Sequence, residues 1–242
     1  MSAIPALLRF PVVGSTMDLL HELAAEGAEA GTIVVAGEQT SGRGSRGRLW
    51  RSPPGGLWLS ALYRPSAIAR VELVGLQAGL AVAEAIEAIG PALRVGLKWP
   101  NDLIVDDRKV GGILCEARWQ GELLSWVVVG IGVNVANPLL SDLTAGAIRL
   151  ADRLPNADPA SLEPEVTRRL RALDASGDRL APAVLSDLRR RDWLRGRRLH
   201  GPAAGTAEGI ADDGALLVRE PGGHLRAVRA GTVELAEPSL MP

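Results

Sequence analysis

KWPNDLIVDDRKVGGILCE, Lys98 to Glu116, is the stretch whose reading decides the fold. Arg94 to Trp99 is predicted to be a strand, broken at Pro100-Asn101, where proline offers no N–H and asparagine favours a turn. A second strand is expected at Leu103 to Val105. Asp106-Asp107-Arg108 then reads as a hairpin turn, and Val110 to Trp119 as a third strand with Lys109 at its head. Leu123 to Val133, LLSWVVVGIGV, follows as an apolar strand buried on both faces. Gly130 and Gly132 inside it point to a close approach by a ligand or another backbone.

Working outward, Leu7 to Val13 reads as a strand ended by Gly14. Ser15 resembles a helix N-cap with Asp18 three residues on. Met17, Leu19, Leu20, Leu23 and Ala24 give that helix an apolar face as far as Gly27. Thr32 to Glu38 is a β-branched strand, and Leu57 to Tyr63 another after the turn residues 53–56. Ala67 to Ile89 has the spacing of a long helix ended by Gly90 and Pro91. Residues 137–159 are expected to be loop, and Ser161 to Ala175 and Ala181 to Trp193 helices. The arginines among residues 189–198 read as a solvated face and linker. From Gly196 short apolar segments alternate with turns at Pro202, Asp213-Gly214 and Gly222-Gly223, the texture of a small β-barrel. The expected fold class is α+β, a mixed sheet flanked by helices over residues 1–194, with a β appendage over 195–242.

Composition limits the functions. The 242 residues carry a net charge of −1, so no global field recruits nucleic acid and any anion site is local. The single cysteine, Cys115, excludes an internal disulfide. His21, His200 and His224 are scattered and do not pair with it at a zinc-ligand spacing. No signal peptide or membrane span is read, and the expected location is the cytoplasm. Of the 27 basic residues only Lys98 and Lys109 are lysines. Lysine is a compact point charge with a movable pKa, unlike the arginine fork that this chain otherwise prefers.

The chemistry-bearing signals are separated along the chain. Ser15-Thr16 sit at a helix N-terminus, where free amides favour an anion. Gln39 precedes GRGSRGRLW, Gly42 to Trp50, where glycines free the backbone and arginines offer donors suited to phosphate or carboxylate. A solvated loop and a loop that folds over an anionic ligand both fit that run by itself. GGLWLS (Gly55 to Ser60), KWPND, KVGGILCE and GIGVN (Gly130 to Asn134) follow.

In this order the segments resemble the biotin protein ligases over about residues 10 to 135, and the β appendage is similar to that family's SH3-like C-terminal domain. The resemblance implies a class II synthetase-like catalytic fold and a two-step, ATP-dependent reaction. Biotin carboxylate attacks the α-phosphate of ATP, giving biotinyl-5′-AMP and pyrophosphate. The ε-amine of one lysine on a biotin carboxyl carrier protein, part of an acyl-CoA carboxylase, then attacks the anhydride and releases AMP. Lys109, Arg43 and Asp102 become the expected catalytic residues, with Lys109 bridging carboxylate and α-phosphate and Asp102 orienting or deprotonating the incoming amine; turn capping is the other reading of Asp102. Biotin is expected to meet Ser15, Thr16, Gln39, Arg43, Gly44, Ser45, Trp50, Lys109, Gly112, Gly130 and Gly132. ATP is expected to meet Arg46, Arg48, Asn101 and Asn134, with Mg²⁺ near Asn134. A homodimer is one possible assembly.

Two departures stand out. The family loop usually reads GRGRxGR, and Ser45 replaces its middle arginine, which predicts a leakier hold on the adenylate. The family's STN reads STM here, and Met17 lacks asparagine's hydrogen bonds. No helix-turn-helix precedes the first strand, which points to the monofunctional type. A lipoate or octanoyl transferase of related fold is the alternative within the class, although it does not need KWPND. An RGG-like nucleic-acid contact normally interleaves more aromatics in a basic domain. An inactive biotin-binding module is at odds with Lys109.

Overall fold

A computed structural model describes residues 5–65, 70–139 and 146–236. Seven strands form a mixed sheet: β1 (Leu7–Val13), β2 (Ile33–Gln39), β3 (Leu57–Tyr63), β4 (Gly96–Lys98), β5 (Asp102–Val105), β6 (Arg108–Gln120) and β7 (Leu123–Val133). Their order is β1-β2-β3-β7-β6-β5-β4. β1 and β2 are parallel and joined through α1 (Thr16–Ala25); the other adjacent pairs are antiparallel. A parallel pair needs such a crossover, whereas hairpins suffice elsewhere.

The alternation of side chains loads both faces. On one, Ile33, Val35, Leu59, Ala61, Val129 and Ile131 pack toward α2 (Val71–Ile89) and α3 (Pro159–Arg171). On the other, Val34, Leu62 and Val128 receive Met17, Leu20 and Ala24 of α1. Full burial of a side chain such as Leu20 is worth about 1.5–3 kcal/mol. Farther along the α1 side, the register sets Gly130 opposite Ser60, and Gly132 opposite Gly112. Small residues replace the apolar layer there and leave a trough beside α1.

Several boundaries differ from expectation. The first residues expected in the long helix, 67–69, lie outside the described residues, as do 140–145 of the expected loop. α3 begins at Pro159 rather than Ser161, because Asp158 accepts from Ala160 N and proline suits the first turn. α4 (Pro182–Arg191) stops before Trp193, whose N–H bonds Leu97 O at 3.0 Å and so joins the β4 edge. Asp106 and Asp107 both have positive φ, 49° and 58°, making a two-residue turn, and β6 begins at Arg108.

The C-terminal segment departs from a barrel. It is a five-stranded antiparallel sheet, order β11-β10-β9-β8-β12, of β8 (Arg198–Gly201), β9 (Gly205–Ile210), β10 (Leu216–Arg219), β11 (Leu225–Val228) and β12 (Glu234–Leu235). Among the described residues β11 and β12 do not pair. With two residues, β12 lacks the ladder that closure requires. Trp99, 4% exposed, ties this sheet to the first by donating to Gly214 O at 3.0 Å. The basic run near the junction has internal partners: Arg189 bonds Ile210 O, Arg191 pairs with Glu87, and Arg197 pairs with Asp107 while stacking on Trp193.

Candidate functional site

The trough is a cleft of about 820 Å³. Its floor is Gly112, Gly130 and Gly132, and its rim includes Thr16, Gln39, Arg43, Arg48, Trp50, Asn101, Lys109 and Asn134. A Cβ on Gly130 meets Met17 Sδ at 2.5 Å, and one on Gly132 meets Trp50 Cε2 at 2.7 Å. The two glycines thus admit α1 and Trp50 to the sheet surface, which accounts for their place in an otherwise bulky strand.

A bulge aims Lys109. Leu103 pairs with Gly111, but the next residue, Ile104, pairs with Lys109, so Val110 is extra on β6. In a regular strand residues three apart face opposite sides; the bulge resets that alternation. Val110 is buried in the core while Lys109 emerges beside Gly112, where its Nζ is 3.6 Å from an added Cβ. Lys109 Nζ is ion-paired with Asp102 and lies 5.2 Å from the centroid of Trp50. Lys109 is also held from the other side, its N–H on Gly146 O and its C=O accepting from Ile148 N.

The glycine–arginine run is a small hairpin standing over this cleft. Trp50 N bonds Gly42 O at 2.9 Å, Gly44 N bonds Arg48 O at 2.8 Å, and residues 45–47 make one 3₁₀ turn. Gly42 is required at its base, since an added Cβ would lie 2.5 Å from Trp50 O. Ser45 Oγ accepts from Arg48 at 3.0 Å, so the departure from the usual arginine ties a neighbouring guanidinium back into the loop. Arg43 turns toward the sheet and is paired with Asp18 and Glu116.

At the inner end a polar chain is closed on itself. Thr16 N and Oγ1 both donate to Gln39 Oε1, at 2.8 and 3.0 Å. Gln39 Nε2 donates to Ser52 Oγ, which donates to Trp50 O. Thr16 Oγ1 also meets Ser60 Oγ at 2.8 Å. At the other end Asn137, buried, donates to Asn134 Oδ1 and accepts from Val135 N.

Of the expected site residues, Thr16, Gln39, Arg43, Gly44, Ser45, Arg48, Trp50, Asn101, Lys109, Gly112, Gly130, Gly132 and Asn134 border one cleft. Three do not. Ser15 is used as the cap of α1, its Oγ accepting from Asp18 N. Arg46, at φ 61°, is exposed on the turn and does not line the cleft. Asp102 reaches the cleft only through Lys109 and otherwise borders a small gap with Lys98, Trp99 and Ile210. Lys98 itself sits over Trp193, 5.8 Å from the ring centroid, so the two lysines do not share a site. Residues the sequence did not single out include Ser52 and Asn137, whose roles depend on partners across the fold. Ser60 had a local signal, a lone hydroxyl in the apolar run LWLSALY.

The surroundings of Asn134 do not make a protein-borne metal site. Among the described residues Glu38 is the one carboxylate bordering the cleft, and Asn134 Oδ1 already accepts from Asn137. No cluster of three His, Cys, Asp or Glu side chains suited to a metal occurs among the described residues. Cys115 is not a nucleophile candidate either, since burial pushes its thiol up to about 12.

Comparison with known proteins gives concordant matches. The profile described as Biotin/lipoate A/B protein ligase family matches residues 9–134, and that of the Biotin protein ligase C terminal domain matches residues 195–236. A biotin–[acetyl-CoA-carboxylase] ligase of Paracoccus denitrificans is 38% identical, over 83% of this chain and 89% of that protein. A bifunctional ligase/repressor of Bacillus spizizenii is 30% identical, over 93% of this chain and 72% of that protein. The Aquifex aeolicus biotin protein ligase, solved with biotin and ATP, superposes with a TM-score of 0.81 at 27% identity, covering 96% of this chain and 98% of that one.

Proposed function

This chain belongs to the Biotin/lipoate A/B protein ligase family and carries the C-terminal domain of biotin protein ligases, and from that premise we propose that it is an ATP-dependent biotin protein ligase. The lipoate alternative lacks support, since the matched relatives and the Aquifex structure are biotin ligases. The division into a catalytic domain at 1–194 and an appendage at 195–242 is supported by the two separate sheets.

The observation that carries the reading is Lys109 on the cleft rim beside Gly112, facing an arginine-bearing hairpin and paired with Asp102. In the first step a biotin carboxylate oxygen bonds the α-phosphorus and pyrophosphate leaves. Two anionic groups must approach each other, and a fixed ammonium between them offsets their repulsion and the charge that develops. Lys109 supplies that cation. In the second step the acceptor lysine's neutral amine bonds the acyl carbon, AMP leaves with the bonding electrons, and the amine's proton passes to Asp102 or to solvent. Asp102 reaches the cleft through Lys109, and their pairing orients both groups.

Thr16, Gln39 and Ser52 present a prearranged polar end for the ureido ring, with Met17 and Gly130 beneath it. Trp50 walls the middle of the cleft. Arg48, which borders the cleft, is the hairpin cation assigned to the nucleotide, and Asn101 and Asn134 are assigned to the phosphates. Arg43 is withdrawn from the catalytic role, because two carboxylates already hold it. Mg²⁺, if bound, would be held chiefly by phosphate oxygens rather than by this chain's side chains, and would offset phosphate charge. The acceptor is the carrier-protein domain of a carboxylase.

Biotin-dependent exchange between ATP and radioactive pyrophosphate tests the reading. Exchange in the wild type and its loss in Lys109→Ala are expected; an inert wild type overturns it.

A further inference from the structure

Beneath the hairpin, four side chains form a line that the two chemical steps leave unused: Trp126 on β7, His21 on α1, Glu116 on β6 and Arg43 at the hairpin entrance. Trp126 Nε1 donates to His21 Nδ1 at 3.0 Å. An indole N–H is only a donor, so Nδ1 must present a lone pair, and the neutral ring carries its proton on Nε2. That nitrogen faces Glu116 Oε2 at 3.3 Å. Both atoms are buried and neither makes a hydrogen bond elsewhere; Glu116 Oε2 also has Arg118 at 3.9 Å. The second oxygen, Glu116 Oε1, accepts from Arg43, whose other terminal nitrogen donates to Asp18 on α1.

The polarity of the line runs one way. A donor that cannot accept fixes the histidine tautomer, the tautomer directs an N–H at the carboxylate, and the carboxylate is left to hold a guanidinium. Such chains polarise each link in turn. The charged groups facing His21 are Arg118 and Glu116 from β6 and Arg43 from the hairpin, with Asp18 on its own helix. Burial first, and then Arg118, lowers the imidazole below its ordinary pKa, against the opposing pull of Glu116. The neutral ring that Trp126 requires is therefore also the one the surroundings favour.

We propose that Trp126, His21 and Glu116 act as positioning residues for Arg43, pinning the entrance of the 42–50 hairpin to the sheet so that its far side covers the bound intermediate from a fixed pivot. The proposal rests on the ligase reading. It concerns neither of the two chemical steps but the retention of what the first one makes. Without the anchor the hairpin keeps its internal bonds, Gly44 to Arg48 and Trp50 to Gly42, and Arg43 keeps Asp18, but its tie to β6 is lost.

Two measurements test it on the whole protein. Long-range ¹H–¹⁵N correlation, with His21→Gln identifying the signals, is expected to find the Nε2–H tautomer near neutral pH. An Nδ1–H tautomer or a charged ring overturns the relay. For function, biotinyl-adenylate is formed on the enzyme and its escape is followed. Glu116→Gln is expected to speed escape about fivefold or more and to raise KM for biotin more than it lowers kcat of exchange. Trp126→Phe keeps the packing but frees Nδ1 to take a proton, so the acid limb of escape against pH moves to higher pH. Unchanged escape in Glu116→Gln, or an unmoved profile in Trp126→Phe, overturns the proposal. A wild type without pyrophosphate exchange sinks the ligase reading alone, because the tautomer still decides the relay.

Discussion

Asp102 and Lys109 meet across a β-bulge: Asp102 opens β5, Lys109 lies on β6, and the extra residue Val110 turns the ammonium to the cleft rim, where it pairs with that carboxylate. Their pairing makes the two residues separable by experiment. Lys109→Ala removes the cation between two anions and is expected to lower pyrophosphate exchange by about two to three orders of magnitude. Asp102→Asn keeps Lys109 in place and is expected to lower transfer to the acceptor more than exchange. Equal losses in both assays would mean that Asp102 serves only to hold Lys109.

Gly132 underlies Trp50. An alanine there forces the indole off the sheet, since the added Cβ approaches Trp50 Cε2 to 2.7 Å. Overpacking of this kind costs about 1–3 kcal/mol. Gly132→Ala is expected to lower Tm and weaken biotin binding together, read by thermal denaturation and by titration calorimetry. Unchanged biotin affinity would remove Trp50 from the binding wall.

Ser45 holds Arg48 by a 3.0 Å bond and leaves the turn one cation short of the usual loop. Ser45→Arg is expected to release Arg48 toward the cleft and slow the escape of biotinyl-adenylate. A single-turnover assay without acceptor reads this directly. If the wild type releases no detectable free adenylate, the idea of a leaky loop is wrong.

Trp99 carries a test of how the two sheets depend on each other. Trp99→Phe keeps most of the buried area but leaves Gly214 O without its donor. An unsatisfied buried carbonyl costs about 1–3 kcal/mol. The expected outcome is a lower Tm with faster hydrogen exchange in β9 and β10.

Asp192, at the junction, gives a pH dependence. Burial raises its pKa above 3.8, and its buried Oδ2 has no partner. A raised carboxylate pKa means the folded state binds more protons than the unfolded chain between the unfolded value and the folded one. Stability is therefore lost as pH rises through that window. Asp192→Asn stays neutral at all pH and keeps an acceptor for Leu194 N. It is expected to have a higher Tm than wild type at neutral pH and the same Tm below the unfolded value of 3.8, as followed by calorimetry.

The family and most strands were legible because they rest on local patterns. The β-branched run before Gln39, the doubly buried run ending at Val133 and the break at Pro100-Asn101 each follow from side-chain type and spacing. KWPND and KVGGILCE were legible as a pair because their residues sit on adjacent strands a short turn apart. The Ser15 cap was readable, but not that capping would occupy its hydroxyl. Arg43 was expected to be catalytic by residue type, whereas in space its guanidinium meets two carboxylates, and Lys98 of KWPND meets an indole.

Residue order alone therefore settles the ladder of elements and the inventory of chemical groups, since propensity, capping and alternation act over a few positions. Aim is decided later, in three dimensions. A one-residue bulge, invisible in KVGGILCE, turns Lys109 from the wrong face to the right one. The α1 packing brings His21 and Asp18 under a hairpin more than twenty residues away. Which arginine is free and which is held depends on carboxylates delivered by other strands, because charge pairing is a property of distance in space and not of spacing along the chain.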